Sequence, residues 1–340
     1  MNRRLQRTAL WVGLPAALAC LGALALRVPA APAAWLFAWF FFLGLPLGAL
    51  AVLCLHGLTG GRWGAPLRPV LRAATRTFPW LVLLGLPVLF SLDDLYPWLH
   101  PDGANPAPWY LNRGFFLARL AVYFGLWLFL IRAVPRSGGR MAAAGAILHA
   151  LLVTFAAVDL IMSLMPGWYS TTFGLLVGTA EILSALALCA LALHRFAPTG
   201  SVQDFHDLGN LLLTFVMIWA YIAFTQFLII WYENLPHEIR WYLPRLQGPW
   251  AVIALAVVVF QFVLPFLLLL ARRSKRHLPR LAAIGLMLLL IRMADSYWIV
   301  VPSVRPTPSW LDPLALFGIG GLWLAAFLFH LERDKATGHG

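Results

Sequence analysis

Six polar side chains recur at helical spacing inside one apolar segment. Asp207, Asn210, Thr214, Tyr221, Thr225 and Tyr232 stand 3, 4, 7, 4 and 7 residues apart. At about 100° per residue they fall within roughly 60° of one another. At about 1.5 Å per residue the row is about 37 Å long, longer than the hydrocarbon core of a bilayer. Hydrocarbon does not tolerate such a face, so it is expected to look into protein or water. A row of carboxyl, amide and hydroxyl groups can relay protons, with Asp207 and the adjacent His206 at the uptake end. The same Thr and Tyr side chains can instead only hydrogen-bond across helices, with Asp207 capping its own helix.

Other ionisable residues stand within apolar runs. Glu181 is close to the middle of its run, where a carboxylate must be paired or protonated, the condition that suits proton transfer. His149 titrates near neutral pH in ordinary surroundings and relays protons through either nitrogen; it can equally be a hydrogen-bonded core residue. Asp159 lies ten residues further along the same run. Arg292 and Asp295 are three apart, on one helix face, and can pair. The expectation is an inner polar region of Asp207, His206, His149 and Glu181. An outer one would hold Asp159, Arg292, Asp295 and Glu233, with Tyr297 and Arg119 nearby. The segment with the polar row would join them as two half-channels. A structural ion pair that locks helices is the alternative for Arg292–Asp295.

The elements that must position these residues are membrane spans. The 340 residues are 61% hydrophobic and only 11% charged, with 16 Trp. That composition belongs to polytopic α-helical membrane proteins. Apolar runs of spanning length fall near 9–27, 33–56, 78–92, 115–133, 141–164, 172–194, 208–231, 249–270, 279–302 and 311–330. This predicts a single all-α polytopic membrane domain over 1–340, with about ten transmembrane helices and no soluble domain. With the N-terminus in the cytoplasm, 18 of the 25 Lys and Arg fall on the cytoplasmic side. The positive-inside rule therefore predicts both termini cytoplasmic. The net charge of +12 then reflects topology, and no nucleic-acid partner is implied. Arg3, Arg4 and Arg7 before an apolar run and Ala30–Ala33 have the outline of a signal peptide, but a retained anchor is expected.

Redox ligands are not evident. Cys20, Cys54 and Cys189 lie singly in spans, and of nine His only His149 is deep in one. This gives no iron–sulfur or zinc ligand set and no facing His pair for a b-type haem, so neither a metal nor a catalytic residue is expected in the chain. The outer loops mix charge with aromatic residues. One holds Asp93, Asp94, His100, Asp102 and Arg113; the other holds His237, Glu238, Arg240, Trp241, Tyr242, Arg245 and Trp250. They read as interfacial anchors or as a partner's landing site.

Four stretches together resemble one family. They are Tyr96–Pro97–Trp98 with Tyr110–Leu111–Asn112, Phe115–Phe116 and Arg119; Asp159–Leu160–Ile161–Met162–Ser163–Leu164 with Trp168–Tyr169–Ser170–Thr171 and Phe173–Gly174; His206–Asp207–Leu208–Gly209–Asn210 with Trp219–Ala220–Tyr221–Ile222–Ala223–Phe224, Gln226 and Trp231–Tyr232; and Arg292, Asp295, Tyr297–Trp298 and Pro302. Over roughly 78–302 the chain looks like the ActF-type membrane subunit of alternative complex III, itself similar to the NrfD (polysulfide reductase membrane subunit) proteins. It departs in being shorter, and in reading Ala107–Pro108–Trp109 where relatives tend to carry a Lys.

The resemblance implies NrfD-like helical bundles in a bacterial inner membrane. It implies a cofactor-free subunit of a complex that oxidises quinol. Partners would be a related NrfD-like quinol-site subunit, an iron–sulfur subunit, multihaem and monohaem cytochrome c subunits carrying c-type haems, and small membrane subunits. This chain would contribute proton half-channels and anchor the redox subunits. An NrfD-like subunit that itself binds quinol is the alternative, with Asp159, Glu233 or His237 taking the quinol proton. A secondary transporter or a purely structural anchor are further alternatives; Pro166–Gly167 and Pro302 near span ends weigh against the transporter.

Overall fold

The computed structural model describes residues 2–100, 105–136, 139–196 and 199–336. Among these no strand occurs, and ten helical runs are long and apolar enough to cross a membrane. They are α1 Asn2–Ala25, α2 Ala31–Thr59, α3 Arg68–Phe90, α4 Arg113–Ala133, α5 Gly139–Leu160, α6 Phe173–Arg195, α7 Val202–Glu233, α8 Gly248–Leu270, α9 Leu278–Val304 and α10 Leu311–Ala336. Each meets one of the ten expected runs.

Position follows from how apolar each helix is all round. α2 has no polar face and is the axis of the fold, with its most apolar window wholly buried. α6, α9, α10 and α5 pack around it. Two glycines one turn apart, Gly44 and Gly48, allow α6 to come in close: a Cβ on Gly48 would lie 1.9 Å from the Glu181 carbonyl oxygen. Such small-residue grooves hold helices together where lipid gives no hydrophobic drive. α7 and α8 lie at the periphery and are the least buried spans.

Three local features differ from the sequence expectation. The short third run is longer, because Arg68–Thr75 precedes it, and it is broken into pieces, with Pro79 and Pro87 each near a piece's start. Pro supplies no N–H and is favoured there. α7 starts at Val202, not at Asp207: Ser201 and Asp204 form a capping box, which leaves Asp207 in the second turn. α8 is interrupted by a π-helical stretch, Val258–Val263.

Candidate functional site

Among the described residues, two clusters of charge lie deep in the bundle. In the first, Asp159 of α5 is fully buried and holds Arg119 of α4 by two bonds, Nε to Oδ2 at 2.8 Å and Nη2 to Oδ1 at 3.0 Å. Tyr123 Oη donates to the same carboxylate at 2.9 Å, and Arg119 Nη1 donates to the Tyr110 carbonyl at 2.8 Å. The guanidinium lies 3.8 Å from the Tyr110 ring centroid and 4.4 Å from that of Phe115. Both charges are matched by a bidentate pair, a hydroxyl and aromatic faces, which is what a buried ion pair needs to hold.

The second place is nearer the middle of the bundle. Arg292 and Asp295 pair on α9, both buried. Glu181 of α6, packed against Gly44, lies within electrostatic reach of the Arg292 charge. Gln261, in the π-helical stretch of α8, is fully buried and turned toward Asp295. Here the valences are not filled. Glu181 Oε2, Arg292 Nε and both amide atoms of Gln261 complete no well-formed hydrogen bond among the described residues. Each such group left unmet costs about 1–3 kcal/mol, so this cluster is less completely satisfied than the one around Asp159.

These contacts regroup the expected regions. Asp159 belongs with Arg119 and Tyr123, not with Arg292 and Asp295. Glu181, expected on the inner side, joins the Arg292–Asp295 pair instead. Tyr297 donates to Asp312 Oδ2 at 2.7 Å, and Arg305 pairs with the same carboxylate, forming a separate network. His149 is buried and accepts on Nδ1 from Trp127 Nε1 at 3.2 Å; among the described residues it has no bond to Glu181 or Asp207.

The polar row on α7 splits in two. Its inner end is a network: Lys275 Nζ donates to Asn210 Oδ1 at 2.8 Å, and Asn210 Nδ2 donates to His206 Nδ1 at 3.3 Å. Asp207 Oδ1 lies 3.8 Å from that nitrogen and accepts from Gln203 at 2.9 Å. Burial and the nearby Arg272 hold the Lys275 ammonium below its usual pKa range. The outer half turns away from the bundle, against expectation. Thr214 is exposed and bonds only its own helix, Thr225 is half-buried, and Tyr221 and Tyr232 are 71% and 81% exposed. The row therefore does not join the two clusters within this chain. The helix phase that aligns the row is real, but the face of α7 buried against the bundle is the opposite one, bearing Leu208, Leu212, Val216 and Trp219, and its main neighbours are α6 and the Leu264–Leu270 part of α8.

The outer loops also differ. Glu233 and His237 are exposed, and His237 lies beside Glu238 at 3.9 Å and the Tyr169 ring at 6.4 Å, not beside Asp159. Trp241, Tyr242 and Trp250, expected as interfacial anchors, are buried, with Trp241 stacked on Trp168 at 4.8 Å. Arg245 fixes this loop: fully buried, it donates to the carbonyls of Trp241 at 2.7 Å, Trp298 at 3.1 Å and Ile299 at 2.6 Å. In the other loop Asp93 pairs with Arg113, and Asp102 lies outside the described residues.

Two features were missed by sequence reasoning. Gln261 had a signal, being the one amide in an otherwise apolar run, but only the π turn aims it inward. The other is a cleft of about 750 Å³ between α7, α8 and α9. Trp219, Ala254 and Phe262 line its sides, Gln226 and Tyr242 close one end, and the Asp295 side chain lines it as well. Asp295 thus belongs both to the unfilled cluster and to the cleft. Among the described residues no group of His, Cys, Asp and Glu could hold a metal ion. Compared with models of known protein families and with curated proteins, the chain matches none.

Proposed function

We propose that this chain is a membrane subunit of a quinol-oxidising respiratory complex of the alternative complex III type, and that Glu181, Arg292, Asp295 and Gln261 move protons across its middle. The observation that carries the proton role is the set of unfilled valences around one guanidinium at the centre of the bundle. The family resemblance, in which Arg292 and Asp295 take part, supports the place in a quinol-oxidising complex. The Arg-rich face bears on orientation alone, and we assign it to the cytoplasm of a bacterial inner membrane.

The chemistry follows from charge balance. One buried guanidinium neutralises one carboxylate, so of Glu181 and Asp295 one is ionised and the other carries a proton. A swing of Arg292 from Asp295 toward Glu181 exchanges these roles: Asp295 takes up a proton and Glu181 gives one up. Gln261 serves either state, since its amide offers both a donor and an acceptor. Electron transfer itself takes place on c-type haems and iron–sulfur clusters of partner subunits. Asp207, His206 and Lys275 gather protons at the cytoplasmic end, and the exposed outer half of the α7 row, Tyr221 and Thr225 included, faces a partner membrane subunit.

The test begins with gentle purification through a tag, then mass spectrometry and an optical spectrum. Multihaem and iron–sulfur subunits that co-purify and oxidise quinol support the assignment; a chain that comes out alone and colourless overturns it. With the complex in proteoliposomes, Glu181→Gln is expected to abolish proton movement while quinol oxidation continues. Unchanged proton movement in that variant removes the proton role.

A further inference from the structure

We infer that a groove between α1, α3 and α10 is a binding site for an anionic phospholipid, with an acyl chain in the groove and the phosphate on Arg3, Arg7 and Arg333. Such a site needs only that these helices cross a bilayer, whatever reaction the chain serves.

The packing of α1 on α10 brings the parts together. Gln6 Nε2 donates to the Ala325 carbonyl at 3.3 Å, Gly13 meets Gly321, and Cys20 Sγ lies 3.9 Å from the Leu311 carbonyl, so the two helices run antiparallel. They touch backbone to backbone: a Cβ on Gly13 would lie 2.8 Å from the Gly321 Cα. Arg3 and Arg7, one turn apart on α1, therefore come beside Arg333 near the end of α10. α3 stands across from this pair, and between them lies a groove of about 340 Å³. Gln6 and Phe329 line both the groove and a recess of about 480 Å³, whose other walls are Arg3, Arg7, Glu332 and Arg333.

Groove and recess differ in chemistry. In the groove the polar groups are engaged. Trp323 Nε1 donates to Thr77 Oγ1 at 3.0 Å, the Thr77 hydroxyl donates to the Ala74 carbonyl at 2.7 Å, and the Gln6 amide is on Ala325. The rest of the lining is hydrocarbon, with Leu10, Trp80 and Leu83 43%, 55% and 55% exposed. The groove thus opens sideways to lipid and offers an alkyl chain a bed and a polar ligand nothing. From Thr77 to Leu84 it follows about 10 Å of helix, enough for the upper part of one chain. The recess is the opposite. Three guanidiniums line it against one carboxylate, Glu332, and guanidinium forks suit phosphate oxygens. A molecule that joins an alkyl chain to an anionic phosphodiester meets both demands. A free phosphate leaves the groove empty, and a choline headgroup sets a cation among the guanidiniums.

The experiment uses the full chain, with whatever subunits co-purify, in phosphatidylcholine nanodiscs. They are doped with a photoreactive phosphatidylglycerol whose diazirine sits part-way down one acyl chain, and labelled peptides are mapped by mass spectrometry. Expected is saturable labelling of 77–84 and 322–329. Unlabelled phosphatidylglycerol displaces it; further phosphatidylcholine and inorganic phosphate do not. A guanidinium near an anionic headgroup is worth about fivefold in affinity, so Arg3→Gln, Arg7→Gln and Arg333→Gln combined are expected to weaken the labelling by roughly tenfold to a hundredfold. Arg273→Gln, Arg276→Gln and Arg280→Gln combined remove as much charge from the same Arg-rich face, outside the recess, and leave the labelling unchanged. Ala326→Trp, in the groove wall, is expected to abolish it. Should that variant fail to fold, the two Gln sets, which alter only exposed side chains, still decide.

Labelling spread over all lipid-facing helices, or lost equally with either Gln set, is the general pull of a basic face on anionic lipid and overturns the inference. Equal displacement by phosphatidylcholine overturns the role given to the guanidiniums. Displacement by inorganic phosphate makes the recess a free-anion site and overturns the assignment to lipid.

Discussion

The clusters around Asp159 and around Arg292 use the same residue types to opposite ends. Around Asp159 every strong valence is met: two guanidinium bonds, a phenol and two aromatic faces. Around Arg292 a second carboxyl competes for one guanidinium, and four polar atoms go without a well-formed bond among the described residues. A filled cluster has one low-energy arrangement and resists change. An unfilled one has several of similar energy and can be moved between them. Burial alone does not separate the two, since both are almost wholly removed from solvent. What separates them is the count of donors against acceptors.

The largest effect expected concerns the frame rather than the charges. Gly48→Val is expected to yield no folded protein, because its first side-chain carbon already overlaps the Glu181 carbonyl; size-exclusion chromatography after detergent extraction checks this. A normal elution profile would mean that the unfilled cluster is not held by the α2–α6 groove.

Next is Arg119→Leu. It strands the Asp159 carboxylate, and breaking a buried pair in this way costs about 3–5 kcal/mol. A sharp fall in thermal stability is expected, with proton movement per quinol unchanged in whatever protein remains folded. If stability holds, Asp159 is not the anchor that its contacts indicate.

Glu181→Gln sharpens the contrast from the other side. The carboxyl has an unmet oxygen, so an amide of the same shape is expected to alter stability by less than about 1 kcal/mol. Its effect is confined to proton movement. A thermal shift as large as that of Arg119→Leu would make the two clusters alike, both structural.

The smallest effect is a pH signature at the end of the cleft. Burial pushes the Tyr242 phenol up to about 12, with its Gln226 bond and the nearby Arg245 charge acting the other way. A group whose pKa is higher in the folded state contributes stability below its unfolded value, near 10, and that contribution is lost as pH rises toward 12. Between pH 9 and 11 a Tyr242→Phe variant is therefore expected to show the same tyrosinate absorbance change as the wild type while folded. A difference of one tyrosine in that range would mean that water reaches this end of the cleft.

The ten spans were legible because length and apolarity suffice to mark a helix that lipid must accept. Single residues were legible where their cost is high: Glu181, Asp159, Arg292 and Asp295 all proved buried. What the linear order hides is which helix each one meets. Three-residue spacing showed that Arg292 can reach Asp295, but nothing in the spacing tells whether α5 or α6 supplies the next carboxyl. The α7 row shows a second limit. Its phase was correct, yet phase fixes only that residues share a face, not whether that face looks in or out. Gln261 shows a third: the helical rule assumes about 3.6 residues per turn, and the π stretch of α8 breaks it where it matters.

That stretch, Val258–Val263, amounts to one extra residue threaded into α8. Removing a single residue there would leave a plain helix of sound backbone bonding, but everything beyond it would be clocked round by about 100°. Pro265 and Leu269, now buried, would leave the contacts they make, and Gln261 would lose its aim at Asp295. The two halves of α8 are thus set like gears one tooth apart. The outer half is timed to the cleft, the inner half to the bundle, and the length of this segment is under a constraint that its loosely specified, apolar composition conceals.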